Sequence, residues 1–149
     1  MNKKIKLGLV FILIIIIISI FTNSVDAIGI SPGRKTLDFE PGLKTSVDYT
    51  IFNDEAKDMK VLIYVEGELN NSIALHDNLI EFKASETSKT LKYDINLPLE
   101  FKEPGTHEAK IIAREIPISA AHEGTYVGAS AAVVTQLYVL VPYPGKYAE

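Results

Sequence analysis

Along most of this chain apolar and polar side chains alternate in short runs, the two-residue period of half-buried β-strands. No stretch keeps a helical period of useful length. Thr45–Asn53 sets Val47, Tyr49 and Ile51 against Ser46, Asp48 and Thr50, which predicts a strand with one wet face. Met59–Gly67 places Met59, Val61, Ile63 and Val65 on one face and Leu62 and Tyr64 on the other. Being apolar on both faces at its middle, it predicts an interior strand. Ile73–Leu75 and Leu79–Phe82 read as a pair of short strands around His76-Asp77-Asn78. Thr90–Leu97 turns Leu91, Tyr93, Ile95 and Leu97 inward and stops at Pro98. Thr106–Ala113 carries Ala109, Ile111 and Ala113. Val127–Val141 is the longest and most apolar run, and Pro142 ends it.

Proline and glycine punctuate these runs. Ile28–Ser31 is broken by Pro32-Gly33 and resumes as Lys35–Phe39, with Leu37 and Phe39 on one face. A first strand split in this way commonly sends its halves to different sheets. Glu40-Pro41-Gly42 and Glu103-Pro104-Gly105 are turns in which proline presets one central position and glycine accepts positive φ at the next. Seven strands or slightly more, with regular turn signals, describe an all-β fold: an antiparallel immunoglobulin-like β-sandwich. A barrel is the alternative. The cysteine–tryptophan core of antibody domains is absent, because the chain has no Cys and no Trp.

Residues 1–27 follow another rule. Lys3, Lys4 and Lys6 precede the apolar run Leu7–Phe21. A polar stretch then ends in Val25-x-Ala27, with small residues at the two positions a signal peptidase reads. This is the layout of a secretory signal peptide. The apolar run falls short of the roughly 20 residues that a spanning helix wants. The rival reading is an uncleaved N-terminal anchor. Either way residues 28–142, the sandwich domain, face outward as a secreted or cell-surface module. Residues 143–149 read as a C-terminal tail or the start of a linker.

Composition narrows the function. Removing the signal takes away three lysines and one aspartate and moves the formal charge from −4 to about −6. Together with basic residues scattered singly, that speaks against nucleic-acid binding. Without cysteine there are no disulfides, no lipoprotein anchor and no thiolate chemistry. His76, His107 and His122 are far apart, and only His122-Glu123 could offer adjacent metal ligands, so solvated histidines are the simpler reading. Glu66 and Glu68 share a strand-end face as a carboxylate pair would, but a polar strand end explains them equally. No nucleophile motif surrounds Ser119 or Ser130. We expect no enzyme activity and no cofactor. Asn70-Asn71-Ser72 is a candidate N-glycosylation acceptor at Asn70.

Two segments stand out as candidate contact surfaces. The interruption Glu115–Tyr126 is unusually apolar for a loop, and Ile116, Ile118, His122 and Tyr126 are its candidate partner-binding residues. The last strand, apolar on both faces, must either pair on both sides or await another chain.

Ser31-Pro32, Leu37-Asp38-Phe39-Glu40-Pro41-Gly42, Val47–Asn53, Asn96-Leu97-Pro98 and Glu103-Pro104-Gly105-Thr106-His107 together resemble secreted immunoglobulin-like domains of the group containing pilus chaperones and major sperm protein. The order of elements is also similar to uncharacterised archaeal surface proteins and to the extracellular domain of WxL-interacting cell-wall proteins. These motifs are turns and strand starts, so the resemblance implies a fold and transfers no functional residue. The expected function is a non-enzymatic module making protein–protein contacts with another surface protein. Binding of a cell-wall or carbohydrate polymer is one alternative, which would need Tyr126, Tyr138, Tyr143 and Tyr147 to share a face. An assembly chaperone acting by strand addition is the other. A membrane enters only through an uncleaved N-terminal segment.

Overall fold

A computed structural model describes residues 27–116 and 130–145, together with Ile12. The strands are β1 (Ile28–Ser31), β2 (Arg34–Asp38), β3 (Lys44–Asn53), β4 (Met59–Gly67), β5 (Ile73–Leu75), β6 (Leu79–Phe82), β7 (Ser88–Asn96), β8 (Gly105–Ile116) and β9 (Ala132–Val141). They form two facing sheets, one ordered β1-β3-β7-β5 and the other β2-β9-β8-β4-β6. The chain is an all-β, immunoglobulin-like sandwich.

The alternation read from sequence is what closes it. Tyr49, Ile51, Tyr93 and Ile95 from the first sheet meet Val61, Ile63, Ile111, Leu137 and Val139 from the second, all almost fully buried. Leu37, Phe39, Val47, Leu91 and Val133 pack against this core from its margins. Asn53 and Thr135 are the buried polar residues among those described, and Asn53 has a structural task. Its Nδ2 donates to the carbonyls of Lys57 (3.0 Å) and Glu86 (3.1 Å), so one buried side chain ties the β3–β4 turn to the β6–β7 turn. Gly42, at φ 68°, closes the turn in which Leu43 N–H donates to the Glu40 carbonyl at 3.1 Å. Gly105 also has positive φ, 130°, where it opens β8.

The split first strand behaves as expected: β1 joins one sheet and β2 the other. The all-antiparallel expectation needs correction at β2, which pairs with β9 in parallel. The chain crosses between sheets at Pro32-Gly33 without reversing, so it arrives beside β9 in the same sense. The short strands also need correction. β5 pairs with β7 and β6 with β4, so Ile73–Leu75 and Leu79–Phe82 lie in opposite sheets and not beside each other. His76-Asp77-Asn78 thus crosses between the sheets. β8 runs to Ile116, beyond the expected Ala113, because Leu62, Val61 and Lys60 continue the ladder opposite Arg114, Glu115 and Ile116. β9 runs from Ala132, with Ser130 and Ala131 outside the strand, and the expected start at Val127 lies outside the described residues.

Candidate interaction surface

The outer faces of the two sheets differ in chemistry. On the β1-β3-β7-β5 sheet the exposed face is a polar lattice. Ser46 Oγ donates to Asp94 at 2.6 Å, His76 Nε2 bonds the other Asp94 oxygen at 2.8 Å, and Thr50 pairs with Thr90 at 2.9 Å. Ser46 and His76 hold the Asp94 carboxyl below its ordinary range. The hydroxyl and the imidazole both bind the carboxylate rather than each other, so this trio has no activated nucleophile.

The outer face of the other sheet is apolar at one end. By register, Leu79, Leu62, Arg114 and Ala132 form one row across β6, β4, β8 and β9, and Tyr64, Ile112 and Val134 form the next. Leu62, Leu79, Ile116 and Val134 are all among the large apolar side chains left exposed. Ile112, though only 8% exposed, lies outside the core cluster and belongs to this face. The Arg114 side chain stands in the first row with no ion pair or hydrogen bond among the described residues. The opposite end of the face is polar: Arg34 bonds Gln136 and stacks on Tyr138, and Gln136 reaches Glu108 at 3.0 Å. Such an apolar area on a small sandwich is a candidate place of contact.

The patch borders an incomplete edge. Gln136 N–H donates to the Gly33 carbonyl at 3.1 Å, and Phe39 N–H to the Leu140 carbonyl at 2.9 Å. Even-numbered residues of β9 therefore turn their backbone groups toward β2, and odd-numbered ones toward β8. β2 begins only opposite Gln136. Ala132 and Val134 turn N–H and C=O to the same side, where no strand of the described residues is paired with them, although β1 runs close to β9. Among the described residues β9 is paired on both sides over its second half and on one side only over its first.

The residues singled out from sequence fall as follows. Ile116 ends β8 and lies exposed beside the patch, on a strand and not in a loop. Ile118, His122 and Tyr126 lie outside the described residues. Asn70 is exposed in a turn of 3-10 helix, Asn70–Ser72. Glu66 and Glu68 do not act as a pair. Gly67, at φ 108°, breaks the alternation between them, and Glu68 turns away to meet His107 Nδ1. Among the described residues no group of acidic and histidine side chains converges on a metal site. Tyr138 is half-buried beneath Arg34 while Tyr143 lies beyond β9. Val134 lies in the last strand, one of the two segments that stand out in the sequence, whereas Leu62, Leu79 and Arg114 belong to neither. Leu62 did carry a signal, as an apolar residue on the second face of β4, but it was read as burial.

No family model matches the chain, and no curated protein sequence does. Its fold does match solved structures. The E. coli chaperone DraB superposes with a TM-score of 0.56 at 18% identity, over 78% of this chain and 56% of that one. The Salmonella enterica SafB chaperone in complex with SafA pilin gives 0.55 at 10% identity, over 86% and 59%. A PapD-like domain of human CEP192 gives 0.52 at 15% identity, over 82% of this chain and 90% of that domain. At such identities the likeness shows the fold, an immunoglobulin-like sandwich built like the PapD-like domains, and nothing finer. The chain spans little more than half the length of the chaperones it matches.

Proposed function

We propose that this chain is a non-enzymatic, extracytoplasmic sandwich that captures a polypeptide partner, taking one of its strands along the open half of β9. The observation that supports this most is the meeting of an unpaired backbone edge at Ala132 and Val134 with the apolar patch of Leu62, Leu79, Ile112 and Val134. An added strand would gain main-chain hydrogen bonds at the edge, and its alternate side chains would lie on the patch. The likeness to pilus chaperones supports the same reading, with an assembly chaperone as its stronger form. Placement outside the cytoplasm rests on residues 1–27 and follows the surface proteins the sequence resembles. Binding of a cell-wall polymer has less support, since Tyr138 is engaged with Arg34.

Photo-crosslinking from position 134 in native cell envelopes tests the proposal, with position 48 on the polar outer face as control. We expect a protein adduct from 134 alone. It should vanish in Ala132→Pro, which removes a donor turned away from the β8 ladder. Equal labelling from both positions, or an adduct indifferent to Ala132→Pro, overturns it.

A further inference from the structure

Near the start of β8 the His107 side chain is only 11% exposed, and both ring nitrogens are engaged. Nδ1 meets the Glu68 carboxylate, and Nε2 lies 3.0 Å from the Glu103 carbonyl oxygen. A carboxylate and a carbonyl can only accept. Serving both takes two N–H donors, and only the imidazolium has two. The ring also stacks on Phe101 with centroids 4.1 Å apart, and Phe101 meets Phe39 edge-on at 4.9 Å. An aromatic face favours the cation.

Three segments thus converge on one ring: the start of β8, the residue just past β4, and the connection 97–104 between β7 and β8. Gly67 permits the second approach, because a Cβ there would come within 2.7 Å of the Glu108 carbonyl oxygen. The titratable groups facing the ring are Glu68 from the end of β4 and Glu103 from the connection. Across the ladder β9 presents the uncharged Val139, and Phe39, just past β2, meets Phe101, which stacks on the ring.

We propose that His107 is a proton-operated clamp: doubly protonated it ties the β7–β8 connection and the end of β4 to β8, and on losing a proton it releases the connection. One N–H then remains for two acceptors. The carboxylate, the stronger acceptor, keeps it, and Nε2 points a lone pair at the Glu103 carbonyl oxygen. The connection loses its tie, and Phe101 loses its charged neighbour. Phe39, Gly105 and Thr106 wall an open pocket of about 540 Å³ at the ends of β2, β8 and β9, so release reshapes that end of the sandwich. Burial opposes the charge on His107, but Glu68 and Glu103 outweigh it and raise the pKa above the ordinary histidine value. The clamp is therefore fully closed below about pH 6.5 and opens as pH rises through the raised pKa. This device is independent of the partner proposed above.

Amide hydrogen exchange at residues 100–105, corrected for intrinsic rates, tests it between about pH 5 and about pH 9. In the unmodified chain protection should fall by about tenfold across this range, the order expected for one charge-assisted hydrogen bond. In His107→Gln protection should be flat. Glu68→Gln, which keeps an acceptor and loses the charge, should lower the ring's NMR titration midpoint, and this serves if the first variant does not fold. Protection independent of pH in the unmodified chain overturns the clamp. So does a fall that persists in His107→Gln, or a midpoint unmoved by Glu68→Gln.

Discussion

Gly67 and Gly42 both have positive φ, yet the space around them differs. At Gly42 an added Cβ would meet only the tip of the Leu99 side chain, at 3.2 Å, which can swing aside. At Gly67 it would meet backbone: the Glu108 carbonyl oxygen at 2.7 Å and the Ala109 Cα at 3.1 Å. Gly42→Ala should therefore cost about 1 kcal/mol, for left-handed backbone alone. Gly67→Ala should cost about 3 kcal/mol, because two strands must also part. Urea unfolding of both variants checks the ranking, and a milder effect at Gly67 would contradict the close approach. Asn53 makes a comparable case among polar residues. Asn53→Ala leaves the carbonyls of Lys57 and Glu86 without their shared donor and should cost about 2 kcal/mol. If its unfolding midpoint matches that of the unmodified chain, Asn53 does not tie the two turns.

The long last strand sets the element scale, since its two faces carry different duties. Val133 turns inward against the core, whereas Val134 lies exposed on the patch. Val133→Lys should destabilise by about 3 kcal/mol or more, through burial of an unpaired charge. Val134→Lys should leave the melting temperature within a few degrees and abolish partner capture. Equal loss of stability in both variants would mean that the faces are not distinct. The strand also shows what sequence can and cannot convey. Alternation at Val47, Tyr49, Ile51 and at Leu91, Tyr93, Ile95 fixed which residues point inward, because parity is local. Pairing is not local. That β2 lies parallel to β9, and that β5 and β6 part to different sheets, depends on where the chain crosses the sandwich. An apolar residue on the second face of a strand reads the same under a covering segment or on a bare patch. For that reason the sequence does not mark Leu62 as surface, leaves the last strand with Val134 open between burial and contact, and marks Ile116 only as part of a loop.

At the scale of the molecule, the sandwich joins a well-packed core to two buried hydroxyls that find no partner. Tyr49 and Tyr93 point inward from adjacent strands with ring centroids 5.7 Å apart, and neither hydroxyl has a hydrogen bond among the described residues. Burial pushes both up to about 12. The charge on Asp77 and the neighbouring Tyr93 add to the effect at Tyr49. Neither hydroxyl contributes a bond, so Tyr93→Phe should leave stability unchanged or slightly raised at neutral pH. The two rings then set the alkaline limit of the whole fold. A phenol whose folded-state value lies above its unfolded one holds its proton more tightly when folded. Its stabilising contribution is complete below about pH 10 and is lost as pH rises from there to about pH 12. Unfolding should accordingly become easier across that window in the unmodified chain, with tyrosinate appearing together with loss of structure and not ahead of it. The double variant Tyr49→Phe/Tyr93→Phe removes both phenols and should remain folded to higher pH in urea titrations run at successive pH values. If the two proteins lose stability in parallel over this range, the alkaline limit lies with the lysines and surface ion pairs instead of the tyrosine pair.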